Sequence, residues 1–309
     1  MIDFVGQKRW FFLISWILII IGIASLIISQ VQLGTPLRLG TDFAGGTSLT
    51  LRFDPAVGQS QLRDEMANLG YDKVTIQDAG EGDFIIHTQE ITSDEAHQLA
   101  EELGTALDSQ VTLSDYYLAS PTVGAEVARS AIIAVIVASI AMLFYIVWAF
   151  RRMPKSFRWG SCAVIALVHD VFITVGIFSL LGLLSGVEID ALFITGLLTV
   201  VGYSINNIVV VFDRIRENKA KGISADFAIT VNSSIVETLG RCLNTSLTTI
   251  FVILALFLFG GATIHHFVLV LLLGVVIGTY DSICVAGPLL VVWEKGEWSA
   301  LLPWAKRPV

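Results

Sequence analysis

Charge is what this sequence has least of. Only 15% of its 309 residues are Asp, Glu, Lys or Arg, while 54% are hydrophobic. Soluble domains carry about a quarter charged residues, so an ordinary soluble globular protein is excluded. Cysteine is equally sparse. Cys162, Cys242 and Cys284 fall within or beside apolar runs with no metal spacing, which excludes a disulfide framework and a zinc ribbon. No nucleotide-binding loop, zinc motif or nucleophile elbow occurs, so nothing points to enzyme chemistry or a cofactor.

What is present instead is length of apolar run. Uninterrupted apolar segments cover residues 10–29, 128–150, 161–184, 191–212, 242–260 and 267–293. Each is near or above the ~20 residues needed to cross ~30 Å of hydrocarbon as a helix. Six spans are expected. Basic residues orient them. Lys8 and Arg9 precede the first span; Arg151, Arg152, Lys155 and Arg158 fill the second-to-third loop; Arg214, Arg216, Lys219 and Lys221 fill the fourth-to-fifth. Lys295, Lys306 and Arg307 follow the sixth, and the short loops Ser185–Asp190 and Gly260–His266 hold no Lys or Arg. The positive-inside rule then puts both termini in the cytoplasm. The first span reads as an uncleaved signal anchor, because its run exceeds a signal peptide's apolar region and no small-x-small site follows.

The net charge of −8 belongs to one segment. Between Val31 and Ser120 stand 15 acidic residues against 4 basic, a balance of −11. An acidic extracytoplasmic domain of this kind is no partner for nucleic acid. Its pattern alternates: a strand at Thr47–Phe53, a helix at Gln59–Leu69, strands at Lys73–Gln77 and Phe84–Thr88, a helix at Ser93–Leu107 with Ser93 as N-cap, and a strand at Val111–Leu118. The order β-α-β-β-α-β predicts a ferredoxin-like sandwich. The chain thus divides into residues 1–30 (N-terminus and first span), 31–122 (the α+β domain), 123–294 (spans two to six) and 295–309 (a cytoplasmic tail). Residues 222–240 are expected to lie along the cytoplasmic interface before Arg241 turns the chain back into the bilayer.

The run Gly202-Tyr203-Ser204-Ile205-Asn206-Asn207 sets two amides inside the fourth span. Amides in hydrocarbon face a bundle interior or a polar path. Ionisable residues also sit in or at the ends of spans: His169 and Asp170 in the third, Arg241 at the start of the fifth, Asp281 in the sixth. At ~1.5 Å per residue from the extracytoplasmic ends, Asp170 and Asp281 lie ~21 Å deep, Asn207 ~24 Å and Arg241 ~28 Å. One polar layer is therefore expected in the cytoplasmic half of the membrane. It is read either as structural glue or as an ion relay in which carboxylate protonation switches attraction to Arg241, and intramembrane charge favours the relay. His169, pointing about 100° away from Asp170 on the helix, reads as a packing histidine. His265-His266 reads as interfacial.

The ordered motifs resemble the SecF family. Gly40-Thr41-Asp42-Phe43-Ala44-Gly45-Gly46-Thr47 resembles its signature after the first span, and Ala166-Leu167-Val168-His169-Asp170 its third-span motif. Gly202 to Asn206, with Asp213-Arg214-Ile215-Arg216-Glu217-Asn218, is similar to the fourth, Arg241 with Asn244 to Thr249 the fifth, and Gly278-Thr279-Tyr280 with Pro288 the sixth. The resemblance spans essentially the whole chain. It implies a polytopic α-helical membrane protein of six transmembrane helices, a half-unit like the resistance-nodulation-division pumps, with one ferredoxin-like extracytoplasmic domain between spans one and two.

It further implies a multi-pass protein of the cytoplasmic membrane, or of a thylakoid membrane. Its partners would be SecD, a SecYEG-type channel with accessory membrane subunits, and the translocating unfolded polypeptide. With SecD it would form a twelve-span unit that uses the proton-motive force to promote preprotein export. The implied ion-coupling layer is Asp170, Asn206, Asn207, Arg241 and Asp281. Two positions depart from the family pattern: Asn207 stands where the family usually carries a proton-bearing Asp, and Asp281 where it usually carries Ser. The carboxylate is read as relocated from the fourth span to the sixth, within reach of Arg241. Asp42, Gly45 and Gly46 are a tight turn or a hinge to a moving domain. Asp213, Arg214, Arg216 and Glu217 are a docking site or a solvated helix end. A small-molecule efflux half-unit and a non-coupling scaffold stand as alternatives, the second because of Asn207.

Overall fold

A computed structural model describes residues 2–301 apart from 72, 73, 152 and 154. Lys73 of the expected second strand, Arg152 of the basic loop, and Lys306 and Arg307 of the tail lie outside the described residues.

Among the described residues, six helical spans are long and apolar enough to cross a membrane. They are α1 (Lys8–Leu33), α5 (Pro121–Ala149), α6 (Ser156–Ser185), α7 (Ala191–Lys221), α8 (Phe227–Phe259) and a composite sixth. The sixth runs as α9 (Ala262–Asp281), a π-helical turn over Ser282–Ala286, and α10 (Gly287–Lys295). The α8 helix overturns one expectation. Residues 227–240 do not form a separate interfacial segment. They are the first turns of one 33-residue helix that passes straight through Arg241.

Lipid supplies no hydrophobic drive between spans, so small residues and hydroxyls make the contacts. The α1 helix is apolar outside and polar inside. Its buried positions are Phe12, Ser15, Gly22, Ser25 and Ser29, while Ile20 and Ile27 are exposed. Ser25 Oγ donates to Ser179 Oγ of α6 at 3.0 Å. One turn away, a Cβ on Gly176 would sit 2.7 Å from the Gly22 Cα, so α1 and α6 pack backbone to backbone. The same device joins α7 to α9. A Cβ on Gly274 would strike Val200 at 2.1 Å, and one on Gly278 would sit 2.9 Å from Ser204 Cβ.

Between α1 and α5 lies the α+β domain. A short α2 (Thr41–Ala44) leads into β1 (Gly46–Asp54), α3 (Gln59–Asn68), β2 (Thr75–Gly80), β3 (Asp83–Thr88), α4 (Ser93–Leu107) and β4 (Gln110–Ala119). The strand order is β2-β3-β1-β4 with every pairing antiparallel, the ferredoxin-like arrangement. Alternation along β1 turns Leu49, Leu51 and Phe53 onto Leu62, Met66, Leu99 and Leu103 of the helices, all buried. The cap of α4 is Thr92, one residue before the expected Ser93. Its Oγ1 accepts the Glu95 N–H, and Glu95 Oε2 accepts the Thr92 N–H at 2.7 Å, a reciprocal capping box.

The domain is fastened to the bundle at one rim. Leu39 bridges Ile189 in parallel. Above that bridge, Glu188 Oε2 lies 2.7 Å from His87 Nδ1, Thr75 Oγ1 donates to Glu188 Oε1 at 2.5 Å, and Arg38 Nε stands 3.6 Å from Oε1. Burial alone would raise the Glu188 carboxyl, but the bonds from His87 and Thr75 and the Arg38 charge outweigh it and hold it below the ordinary glutamate range.

Candidate functional site

The residues expected to share one polar layer fall in separate places. The first is enclosed. Asp170 of α6 and Asp281, the last residue of α9, are both fully buried. His169 Nδ1 stands 3.2 Å from Asp281 Oδ1 and 3.5 Å from Asp170 Oδ1. Ser204 Oγ of α7 donates to Asp170 Oδ2 at 2.5 Å. The Gly278–Ser204 contact sets α9 against α7, and Ser204 in turn holds Asp170 of α6, where the carboxylates of α6 and α9 flank one imidazole. So His169 is not the packing residue that its position beside Asp170 suggested. A side chain reaches sideways from its Cα direction, and 100° of helix rotation does not keep a long ring from a neighbouring carboxylate.

Arg241 is a correction too. It lies on an exposed face of α8, and among the described residues its guanidinium makes no ion pair; the basic group against Asp170 and Asp281 is the His169 imidazole. The two amides also part company. Asn207 is buried and its Nδ2 donates to Ser246 Oγ at 3.4 Å. Ser246 in turn receives Thr279 Oγ1 at 2.6 Å and meets Tyr203 OH at 3.1 Å, a hydroxyl knot joining α7, α8 and α9. Asn206 points out.

That outward side is the second place. Thr195, Thr199, Gly202 and Asn206 leave an exposed small and polar stripe along α7, and Arg241, Asn244, Thr245 and Thr248 leave another on α8. The threonines satisfy their hydroxyls on carbonyls of their own helix. Arg241, Asn206 and Asn244 have no side-chain partner among the described residues.

At the domain rim, Asp42 Oδ2 accepts the Ala191 N–H at 3.0 Å, while Asp190 caps α7 through the Phe193 N–H at 2.8 Å. Burial, helped by the Asp42 charge, pushes the Asp190 carboxyl up against that hydrogen bond. Gly45 ends α2 with φ 78°. Gly46 has φ 116°, and a Cβ there would lie 2.4 Å from the Thr88 carbonyl oxygen, so only glycine fits. At the far end Arg214 binds Glu217 at 2.6 Å and Glu237 at 2.5 Å, and Arg216 binds Asp213 at 2.6 Å. The Arg214–Glu237 pair ties the end of α7 to α8, while the other two lie within α7. Sequence reading assigned no role to Ser204, Ser246 or Thr279; small hydroxyls in apolar runs give little signal until their partners are located.

Fold and site together define a six-span helical membrane protein with charge enclosed in its bundle and a ferredoxin-like domain at one end. The family described as "Protein export membrane protein SecD/SecF, C-terminal" matches residues 99–296, and the "SecD/SecF GG Motif" matches residues 32–57, which include Gly45 and Gly46. The protein translocase subunit SecF of Thermobaculum terrenum is 42% identical over 96% of both chains, and that of Anaerolinea thermophila 38% identical over 99% of this chain and 98% of the relative. The crystal structure of SecDF, a translocon-associated membrane protein from Thermus thermophilus, superposes with a TM-score of 0.82 at 32% identity. The match covers 95% of this chain and 39% of that longer one. The chain belongs to the SecF family of protein translocase subunits, a family of transport subunits in protein export and not of enzymes.

Proposed function

We propose that this chain pairs with SecD and uses the proton-motive force to promote export of preproteins across the cytoplasmic membrane, with both termini inside and the ferredoxin-like domain outside. The observation that carries the reading is the exposed polar stripe shared by α7 and α8. Asn206, Asn244 and the charged Arg241 are costly against lipid, the arginine by less, near the cytoplasmic end of its span, than the roughly 2.5–3.5 kcal/mol of a central position. A second helical half offering polar groups would remove that cost, and the matched Thermus protein, named SecDF, is a longer chain of which this one covers 39%. A SecYEG-type channel and its accessory subunits would deliver the unfolded polypeptide. A non-coupling scaffold is the second reading, favoured by Asn207, which is locked to Ser246 and bears no proton.

The test is gradient-dependent release of a preprotein from vesicles holding the complete complex. The wild type is expected to lose most stimulation when the proton gradient is collapsed. R241Q is expected to show little stimulation with the gradient or without it. Equal gradient dependence in both proteins rejects a coupling role for Arg241, and none in the wild type supports the scaffold.

A further inference from the structure

We propose that His169, Asp170 and Asp281 form a one-proton binding site internal to this chain, complete without the partner subunit. The inference takes its role in export from the reading above, but its existence does not depend on it.

The geometry is that of an unfilled site. Both carboxylates are fully buried, yet Asp170 Oδ1 and both oxygens of Asp281 have no hydrogen-bond partner, and neither do the two nitrogens of His169. The ring nitrogen is near enough to both carboxylates for attraction, at 3.2 and 3.5 Å, without the alignment that would satisfy either. Native interiors rarely leave several polar atoms unpaired around one point, and each such group costs about 1–3 kcal/mol. Among the described residues one hydroxyl donates to these carboxylates, Ser204 of α7, to Asp170 Oδ2; Thr174 and Ser282 beside them donate to backbone carbonyls. No Lys or Arg among the described residues forms an ion pair there, and Arg241 lies on an exposed face of α8.

Charge counting fixes the stoichiometry. Two ionised carboxylates and an imidazolium sum to −1. One further proton on a carboxyl oxygen makes the cluster neutral and adds the O–H donor that the crowded acceptors lack. Loss of that proton to water restores −1. Net charge enclosed among apolar helices is costly, whereas a neutral cluster is not. The site therefore holds one proton firmly and releases it when the bundle admits water. Its setting fits such a change, because the π-helical turn Ser282–Ala286 begins at the next residue. A π turn is a strained insert in a helix and recurs at functional positions.

The experiment follows the protonated-carboxyl infrared band of the purified chain in lipid nanodiscs, without SecD, from about pH 5 to 9. The wild type is expected to show one titrating band. D281N or D170N, both isosteric, should remove or displace it, H169Q should move its midpoint by about one unit or more, and R241Q should leave it in place. Absence of a titrating band in the wild type overturns the site, as does a band unchanged in both D170N and D281N. A midpoint that follows sodium concentration at constant ionic strength also overturns it, in favour of a sodium site. If D281N abolishes the band but gradient-driven export persists, the proton site stands and its place in coupling falls.

Discussion

Two clusters in this molecule pair a histidine with carboxylates, and they are built to opposite standards. At the domain rim, Glu188 meets His87, Thr75 and Arg38, and each carboxylate oxygen has a partner. Inside the bundle, Asp170 and Asp281 share His169, and three of their four oxygens have none. The first is a finished bond between a domain and its support. The second is an arrangement whose missing hydrogen bonds are supplied only by something that arrives. The difference teaches that residue type does not separate latch from site; satisfaction of the polar atoms does.

Mutating one carboxylate of each cluster tests this most severely. E188A removes one partner from a mostly buried, bonded group and is expected to cost about 3 kcal/mol. The readout is hydrogen exchange at the Gly40 and Ile189 amides, which form the bridge beneath it. D281N replaces a carboxyl whose two oxygens have no hydrogen-bond partner with a neutral isostere, and is expected to change thermal stability by less than about 1 kcal/mol in either direction. If D281N proves the more destabilising, the contrast between latch and site is wrong.

A second variant leaves the inner cluster's chemistry intact and moves its support. G278V places side-chain atoms where even a Cβ would lie 2.9 Å from Ser204 Cβ. It is expected to destabilise the bundle by about 2 kcal/mol and to separate Asp281 from Asp170, seen as a disturbed carboxyl infrared band. An undisturbed band would mean that the glycine seam does not position the site.

The smallest expected effect concerns pH at the rim. Because the Glu188 carboxyl is held below its ordinary value of 4.5, its stabilisation is fully present above that value. It is lost as pH falls through the lowered folded-state value. Exchange protection of the bridge amides should therefore stay flat down to the ordinary glutamate range and decline below it in the wild type. In E188Q that carboxylate-linked decline should be missing. A wild-type decline already complete at neutral pH would contradict the latch.

Much of this was legible beforehand. The six apolar runs, the acid segment and the β-α-β-β-α-β order each declare themselves through period and composition, because a membrane and a two-layer sandwich impose long-range patterns on a chain. Local exceptions were harder to read. Thr92 rather than Ser93 caps α4, since both residue types cap and only the partner Glu95 decides between them. Residues 227–240 look interfacial by composition, but polar residues there bind neighbours, as Ser234 does Asn218, and the helix runs on unbroken.

The polar layer shows where such reading stops. Rise per residue gives each side chain a depth, and depth correctly brought Asp170 and Asp281 to one height. It says nothing of azimuth. Whether Arg241 or His169 answers the carboxylates depends on how each helix is rotated against its neighbours. For α6 and α9, which carry the cluster, close glycine contacts across α1–α6 and α7–α9 help set that rotation, and those contacts exist only in the folded bundle. The amino-acid order determined which groups would be buried in the bilayer and at what level; the packing of backbone against backbone chose which of them face one another.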